Sequence, residues 1–285
     1  MISASELIRD NEQRYESAVK DAAGRILARK NIKLVLISGP SCSGKTTTTS
    51  KLKDFLEEGG KNTHMLSIDD FFKNPNDMEF DEYGNRDYES IDSIDLNELH
   101  KVLSKLVSGK KTRSPVFDFV LAERSKKYNV LKLGKNDIAI IEGLHALNPK
   151  ILNGFVLPEN IFRLFLDCHT EQKSDMRYTR LMRRLVRDYN YRNTNAESTF
   201  ARWKSVLGGE QKYVYPFVSN ADGEINTYFE YEKYVFKDDL LKILSEVKED
   251  SEYYENAKSI SDFLQNLDSI GKDLVPENSL LKEFI

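Results

Sequence analysis

Short, nearly continuous apolar runs along the chain predict buried strands. Four of them are rich in branched side chains and have the length of a strand: 32–38, 63–68, 137–141 and 161–166. Such runs are typical of a parallel sheet, because helices cover both of its faces and no side of the strand needs to be polar. The sequence therefore predicts four strands of a mostly parallel sheet.

Helical periodicity fills the segments between these strands. Four leucines between Leu96 and Leu106 recur at spacings of three and four, which predicts an amphipathic helix over 95–108. A helix that starts at Lys45 is expected to end at the Gly59-Gly60 pair, since glycine commonly terminates helices. Further helices are predicted over 5–30, 172–187, 196–207 and 238–268, and an extended segment over 226–236.

The alternation of strands with helices predicts an α/β fold with a mostly parallel sheet flanked by helices. We expect a single domain over 1–285, because no internal repeat and no linker rich in Gly, Ser or Pro marks a boundary. Within it, 1–31 would form an N-terminal helix, 32–237 the core and 238–285 a helical C-terminal extension.

Charge and composition narrow the classes of function. The 42 Lys+Arg and 46 Asp+Glu give a net charge of −4, which argues against a nucleic-acid-binding protein, because phosphates require a basic excess. Hydrophobic residues make up 40%, yet no run reaches the roughly 18 residues of a membrane span, and the N-terminus has no apolar secretory segment. Cys42 and Cys168 alone cannot build a disulfide framework. We expect a cytoplasmic protein that binds neither nucleic acid nor membranes; a homo-oligomer is compatible with the sequence.

A phosphate-binding loop is the most specific motif. The sequence GPSCSGKT over 39–46 matches G-x-x-x-x-G-K-[ST], and it lies between a predicted strand and a predicted helix. Glycines at its two ends let backbone N–H groups face an anion at a helix N-terminus, Lys45 reaches the β- and γ-phosphates, and the Thr46 hydroxyl binds Mg²⁺. Cys42 is interpreted as a small loop residue and not as a redox group. The predicted ATP-binding residues are Gly39, Ser41, Cys42, Ser43, Gly44, Lys45, Thr46 and Thr47.

Acidic residues follow three of the predicted strands, at the sheet edge where α/β proteins bind ligands. A phosphotransferase needs a carboxylate that orients the acceptor hydroxyl and takes its proton, and Asp69 is the candidate for this base. Asp70 is expected to cap the next turn, and Glu142 to hold Mg²⁺ through water. Asp167 is interpreted as a turn residue.

Arginines crowd the helix predicted over 172–187, which has few acids of its own. Residues four apart on this helix share a face, so the arginines repel one another unless an anion is present. A lid over 172–207 that closes on a transferring phosphoryl group would use this charge, and a patch for nucleic acid or an acidic partner is the alternative. The arginines concerned are Arg177, Arg180, Arg183, Arg184, Arg187 and Arg192.

Residues 76–98 have the opposite charge, with nine acids and the single base Arg86. Most of these acids are expected in a solvated loop and at a helix N-terminus, where negative charge is favourable. One or two of the carboxylates remain candidates for binding the hydroxyls of a sugar.

The order of these motifs resembles the uridine kinase/phosphoribulokinase family of P-loop kinases, and within it bacterial uridine kinase-like proteins. The resemblance spans about 32–232 and includes GPSCSGKTT (39–47), LSIDDFF (66–72), YESIDSID (88–95), SPVFDF (114–119), IIEGLHALN (140–148) and TRLMRRLVRD (179–188). It implies a P-loop NTPase fold and transfer of the γ-phosphate of ATP, with Mg²⁺, to the 5′-hydroxyl of a nucleoside, uridine or cytidine in the first place.

The resemblance also implies roles for individual residues. Asp69 would activate the 5′-hydroxyl, and Glu89 would bind the ribose hydroxyls. Aromatic contacts to the base would come from Phe117 and Phe119, with Phe72 nearby. The arginines that match the family's lid and phosphate-binding positions are Arg184, Arg187 and Arg192, of which Arg184 and Arg187, with Lys45, are expected to act in catalysis.

Two positions depart from the family pattern. Ala122 stands where animal-type uridine–cytidine kinases have a His that reads the base, and Asn193-Thr194 replaces the usual Gly-Arg. Because a pocket that lacks a buried hydrogen-bonding group discriminates less, the acceptor can also be another small alcohol, such as a sugar, a sugar phosphate or a vitamin. A non-catalytic nucleotide-binding regulator is the third hypothesis.

Overall fold

A five-stranded sheet, in which every neighbouring pair is parallel, forms the centre of the fold. The computed structural model describes residues 3–119, 121–170 and 178–285. The strands follow the order β2-β5-β1-β6-β7. Their bounds are β1 (Leu34–Ser38), β2 (Asn62–Ser67), β5 (Asp137–Glu142), β6 (Ile161–Asp167) and β7 (Gly223–Asn226). The predicted α/β class and parallel sheet are confirmed.

The apolar runs are continuous because both faces of the sheet are buried. In β1, Val35 and Ile37 belong to one apolar cluster, and Leu34 and Leu36 belong to another on the opposite face. All five β1 residues are buried. Side chains of a strand alternate between faces, so a strand covered on both sides has no polar positions.

Seven α-helices lie in the described part of the chain. Their bounds are α1 (Ala4–Ala28), α2 (Lys45–Glu58), α3 (Leu96–Val107), α4 (Thr179–Arg192), α5 (Ala196–Tyr213), α6 (Glu232–Ser245) and α7 (Tyr254–Gln265). Local signals fix several ends: Ser3 and Glu6 form a capping box at α1, and Asp95 caps α3 by accepting from the Glu98 N–H. The helix α2 ends at Gly59, as predicted.

The structure corrects several predicted boundaries. The prediction of an extended segment over 226–236 is wrong for the second half of this range, because α6 already begins at Glu232. The single helix predicted over 238–268 is two helices, α6 and α7, separated by residues 246–253. The helix α4 continues to Arg192 and α5 to Tyr213. Residues 172–177 of the predicted lid, including Arg177, lie outside the described residues.

A β-hairpin was not predicted. It consists of β3 (Thr112–Asp118) and β4 (Glu123–Leu131), which pair antiparallel as a separate two-stranded sheet. Most β4 side chains are exposed, and its sequence lacks the alternation of apolar and polar residues that indicates a half-buried strand. Arg124 attaches the hairpin to the region after β2, since its guanidinium donates to the backbone oxygens of Phe71 and Phe72.

The residues after α5 pack against the rest of the fold through the apolar cluster that contains α1. Leu240 and Ile243 of α6, Leu264 of α7 and Leu280 are all buried in this cluster. The division of the chain into core and C-terminal extension stays a prediction. Within the described residues, no helix combines the length and the apolar character that a membrane span requires.

Candidate active site

The predicted site residues lie at the carboxyl ends of the central strands. The phosphate-binding loop follows β1, and β5 and β6 lie on either side of this strand. Asp69 lies in a 3₁₀ turn, Ile68–Phe71, directly after β2, and Glu142 is the last residue of β5. Parallel strands bring these ends to one edge of the sheet, where the strand order changes direction and α/β proteins bind ligands.

The loop itself depends on glycine at two positions. Gly44 precedes α2 with φ 76°, a left-handed conformation that glycine adopts without strain. A Cβ at Gly39 would lie 2.5 Å from the backbone oxygen of Leu166, so this position also requires glycine. Cys42 adopts φ 61° and is buried, which fits its interpretation as a small loop residue. Both cysteines are unpaired.

The side chains of the loop residues differ in their surroundings. Lys45 donates from Nζ to the backbone oxygens of Gly39 and Pro40, at 3.0 and 3.1 Å, so its ammonium group lies over the loop. The Thr46 side chain is exposed, whereas Thr47 donates from Oγ1 to Glu283 at 3.0 Å. The Ser43 hydroxyl is buried and has no hydrogen-bond partner among the described residues.

Asp69, Glu142 and Lys45 form the charged centre of the candidate site. Burial and the negative charge of Glu142 together raise the pKa of Asp69 to about 7, against the opposing charge of Lys45. Ser67 donates to Glu142 Oε1 at 2.5 Å, which orients this carboxylate beside the turn that carries Asp69. A carboxyl group with a pKa near neutrality is suited to accept a proton, and such shifts are common at functional sites.

Glu89 lies close to this centre, although it comes from the acidic loop before α3. Burial, with smaller contributions from the charges of Glu210 and Asp69, raises the pKa of Glu89 to about 7, although Arg184 opposes the shift. Its side chain packs on Gly209 of α5, where an added Cβ would lie 2.3 Å from the Glu89 Cβ. The Glu89 side chain therefore occupies the space that a side chain at position 209 would need.

The aromatic residues predicted to contact a base form one connected group. Phe72 contacts the rings of Tyr88 and Phe117 edge to face, with centroids 5.4 and 5.7 Å apart. Phe119 contacts Phe117 at 5.2 Å and is itself 63% exposed. Phe72 and Phe117 are buried, so the exposed ring surface of these three phenylalanines belongs to Phe119.

Acids from distant parts of the chain neutralise two of the arginines of α4, which for these two corrects the expectation that only an anion could do so. Arg180 forms two hydrogen bonds, at 2.7 and 2.8 Å, with the buried carboxylate of Glu210. Arg183 is fully buried and pairs with Glu232 at 2.5 Å, and it also donates to backbone oxygens of Cys42 and Thr227. Two of the arginines are therefore structural supports of the site.

The other described arginines of α4 share one acid. Asp188 lies within 3.2–3.5 Å of Arg184, Arg187 and Arg192. Arg184 also donates to Ser41 Oγ in the phosphate-binding loop, at 3.1 Å, whereas Arg192 is 54% exposed. One carboxylate cannot neutralise three guanidinium groups, so positive charge remains beside the loop.

The only tryptophan of the chain stacks on two of these arginines. The Cζ atoms of Arg180 and Arg184 lie 5.5 and 5.9 Å from the centroid of the Trp203 ring. Cation–π contacts at these distances are favourable. They hold both guanidinium groups on the side of α4 that faces α5.

The ion pair of Arg183 predicts a large effect on stability. We expect Arg183→Met to lower the free energy of unfolding by about 3–5 kcal/mol, because Glu232 would then be a buried, unpaired charge. Arg192→Met is the control, since an exposed pair contributes at most about 1 kcal/mol. Urea unfolding of both variants measures the difference. If Arg183→Met unfolded like the control, Arg183 would have no structural role.

Several residues of the site escaped sequence reasoning. Glu210 accepts the backbone N–H of Ser41 at 2.8 Å in addition to pairing with Arg180, so it connects α5 to the loop. His145 is buried against Tyr213, neither ring nitrogen has a partner among the described residues, and burial lowers its pKa to about 4. The sequence shows the pair Gly209-Glu210 and the His of the segment EGLH. No pattern in the neighbouring sequence, however, indicates which residues they contact.

The remaining acids have mainly structural contacts. Asp70 was expected to cap a turn; instead its Oδ1 accepts the Phe117 N–H at 3.0 Å and joins the turn after β2 to the hairpin. Asp167 accepts the N–H of Cys168 and pairs with His169 at the end of β6. In the acidic segment 76–98, Asp87 Oδ1 accepts from the N–H groups of Glu89 and Ser90.

Comparison with known proteins identifies the family. The family described as "Phosphoribulokinase / Uridine kinase family" matches residues 34–230, which is more than half of the chain. This protein belongs to that family. A curated uridine kinase from Borrelia duttonii is 26% identical over 194 residues, which cover 67% of this chain and 84% of the relative. Membership of this family agrees with the presence of the phosphate-binding loop, and it supports ATP as the phosphate donor.

Solved structures show the same fold. A possible uridine kinase from Bacillus stearothermophilus superposes with a TM-score of 0.51 at 22% identity, covering 74% of this chain and 98% of the other. A D-glycerate 3-kinase from Cryptococcus neoformans gives a TM-score of 0.50 at 15% identity, covering 70% and 87%. At these identities the likeness concerns the P-loop kinase fold, and the acceptor has to be inferred from the site.

Proposed function

We propose that this protein is an ATP-dependent kinase that phosphorylates the 5′-hydroxyl of a nucleoside, with uridine and cytidine the favoured acceptors. One observation supports this most strongly: Asp69, whose pKa burial and Glu142 raise, lies at the end of β2 beside the phosphate-binding loop that carries Lys45. A base next to a phosphate-binding loop is the arrangement that phosphoryl transfer to an alcohol requires.

In the proposed reaction, Asp69 accepts a hydrogen bond from the acceptor hydroxyl and then its proton. The hydroxyl oxygen forms the new bond to the γ-phosphorus while the bond to the β-γ bridging oxygen breaks, so ADP leaves with the electron pair. Lys45 and the arginines that remain incompletely neutralised, Arg184 and Arg187, stabilise the charge on the transferring group. Arg192, the most exposed of the three arginines that share Asp188, is assigned to binding the acceptor next to the transferring phosphate.

Oxygen donors at the site fit a bound Mg²⁺. The Thr46 hydroxyl and the carboxylate of Glu142 are the hard ligands that this ion prefers, and Ser67 orients Glu142. When bound, Mg²⁺ would neutralise charge on the β- and γ-phosphates. Glu142 would contact the ion through water, in keeping with the number of waters that Mg²⁺ usually retains.

Glu89 and the aromatic group are the proposed acceptor-binding residues. A carboxylate can accept hydrogen bonds from two neighbouring ribose hydroxyls, and the buried position of Glu89 on Gly209 fixes its direction. The exposed ring of Phe119 would supply apolar surface for a base, supported from behind by the buried rings of Phe117 and Phe72. These residues come from three separate segments, which the turn after β2 brings together.

The turn of the hairpin favours a second acceptor class. Ala122 adopts φ 52° in this turn, and its methyl group supplies no hydrogen bond that would read a base. Without such a bond the pocket would discriminate less against other small alcohols, so a sugar, a sugar phosphate or a vitamin is the alternative acceptor. The proposed chemistry at Asp69 is the same for each of them.

A screen of acceptors with a coupled ADP-release assay tests the proposal. We expect uridine or cytidine to give the highest kcat/KM among nucleosides, sugars and vitamin alcohols, with MgATP as donor. A preference for a non-nucleoside alcohol would support the alternative acceptor class. Binding of ATP without acceptor-dependent ADP release, over the whole panel, would contradict a kinase and support a nucleotide-binding regulator.

The raised pKa of Asp69 predicts a pH dependence of the reaction. The base is active only when deprotonated, so we expect kcat/KM to fall about tenfold per pH unit below pH 7 and to be level above it. Initial rates between pH 5.5 and 9 measure the profile. Because Glu89 has a similar pKa, the variant Glu89→Gln is the control, and it should keep the inflection. A level profile down to pH 5.5 would contradict the assignment of Asp69.

A further inference from the structure

Residues 279–285, called the strap below, form a buried segment between the phosphate-binding loop and the arginine helix α4. Leu280, Leu281 and Phe284 are fully buried in the apolar cluster, and Leu280 to Glu283 form a 3₁₀ helix. The match to the family covers residues 34–230, so the strap lies outside it. Nothing in the phosphate-binding motif indicates that a segment so distant in sequence contacts it.

The strap contacts the loop at two positions. Leu280 packs directly on Gly44, where an added Cβ would lie 2.3 Å from Leu280 Cδ1. Glu283 accepts a hydrogen bond from the Thr47 hydroxyl at 3.0 Å, in the first turn of α2. The backbone N–H groups of this turn are the groups that face phosphates in a phosphate-binding loop. Both contacts therefore fix the part of the loop that binds the anion.

The strap also holds the arginine helix. Asn190 and Tyr191, near the end of α4, donate to the backbone oxygens of Phe284 and Ile285, at 3.3 and 2.6 Å. The Arg183 guanidinium lies 5.4 Å from the centroid of the Phe284 ring. One short segment thus joins the two elements that are proposed to surround the transferring phosphate.

We propose that the strap positions the phosphate-binding loop for nucleotide, with Glu283 as a positioning residue that acts through Thr47. The proposal rests on the proposed function only in that ATP is the ligand of the loop. The hydrogen bond from Thr47 to Glu283 holds the first turn of α2, and Leu280 prevents the backbone at Gly44 from moving. In this role Glu283 acts through Thr47 and needs no contact of its own with the nucleotide or the acceptor.

Two opposite effects of Glu283 can be separated by substitution. Its negative charge lies within electrostatic reach of Arg187, so the charge by itself disfavours a bound anion. Its oxygen, in contrast, favours binding by holding Thr47. Glu283→Gln removes the charge and keeps an acceptor for the hydroxyl, whereas Glu283→Ala removes both. A residue that acted only through charge would make both variants bind ATP more tightly.

The test is isothermal titration of each variant with MgATP. We expect Glu283→Ala and Thr47→Val to weaken binding by about three- to tenfold, which is the usual range for one lost hydrogen bond. Glu283→Gln should bind MgATP at least as tightly as the wild type, because it keeps the bond and removes the charge. Thr47→Ser should bind within about twofold of the wild type, because it restores the bond. The double variant with Ala and Val should be no weaker than either single variant, because both changes remove one interaction.

Controls separate positioning from general damage. Glu277→Ala changes a carboxylate just before the strap whose side chain is 95% exposed, and it should leave ATP affinity unchanged. In steady-state assays, KM for ATP should rise in Glu283→Ala while KM for the acceptor stays the same. Wild-type or tighter ATP binding by Glu283→Ala, or an equal rise in both KM values, would overturn the proposal.

The outcome is independent of the acceptor. If the wild type binds MgATP but phosphorylates no nucleoside, the proposed function fails and the binding comparison still decides the role of the strap. If the wild type phosphorylates nucleosides and Glu283→Ala binds ATP normally, the strap proposal fails and the proposed function stands.

Discussion

Replacing Asp69 by Asn is expected to lower kcat by about 10²–10⁴-fold while ATP affinity stays close to that of the wild type. The amide has nearly the same shape as the carboxyl group but cannot accept the acceptor's proton, and base catalysis contributes about this factor. Rapid measurement of ADP release at saturating MgATP and acceptor gives kcat, and titration with MgATP gives the affinity. A kcat within about tenfold of the wild type would contradict the role of Asp69.

The same variant should be more stable than the wild type at alkaline pH. Because the folded-state pKa of Asp69 is raised above its unfolded value, the stability that this group contributes is present at low pH and is lost as the pH rises through about 7. Asparagine does not titrate, so the gain in Tm should grow as the pH rises toward 7 and stay level above it, by about 2–4 °C per kcal/mol recovered. Asp70→Asn, which keeps an acceptor for the Phe117 N–H, is the matched control for catalysis and should leave kcat close to the wild-type value.

Lys45→Ala is expected to have the second large effect, a loss of about 10²–10³-fold in kcat together with weaker binding of MgATP. The ammonium group would follow the negative charge of the γ-phosphate as this charge redistributes in the transition state, and loss of such a group costs about this factor. The backbone bonds of Lys45 Nζ to Gly39 and Pro40 show that the side chain can lie over the loop.

A second lysine of the same helix provides the control for this prediction. Lys53 pairs with Glu57 one turn later, far along α2 from the loop, and Lys53→Ala should change activity little. Titration with MgATP and steady-state kinetics on both variants give the comparison. Unchanged nucleotide affinity and turnover in Lys45→Ala would contradict the assignment of 39–46 as a phosphate-binding loop.

Local patterns explain which parts of the fold could be predicted. The strand before Gly39 and the helix after Lys45 each have their own signal, and a buried parallel strand is visible as an apolar run. The edge of the sheet at which Asp69 and Glu142 meet follows from the parallel arrangement alone. The loop, Asp69 and Glu142 each lie at the end of a predicted strand, and this was sufficient to predict where they lie in the fold.

Pairings between distant residues explain what could not be predicted. The arginines of α4 looked unpaired because their acids, Glu210 and Glu232, lie 30 and 49 residues away in the sequence. The contact between Thr47 and Glu283 spans 236 residues. No periodicity or motif encodes such partners, since only the folded chain brings them together. The hairpin was missed for a different reason: its exposed second strand carries no apolar alternation.

The stacking of Trp203 on Arg180 and Arg184 has an optical consequence. Because the chain has one tryptophan, its emission reports a single environment, and that environment includes two guanidinium groups beside the phosphate-binding loop. Any nucleotide that draws either arginine away from the indole changes the local field around the ring. The protein therefore contains its own fluorescent reporter, and stopped-flow mixing can follow occupancy of the loop in real time without a label.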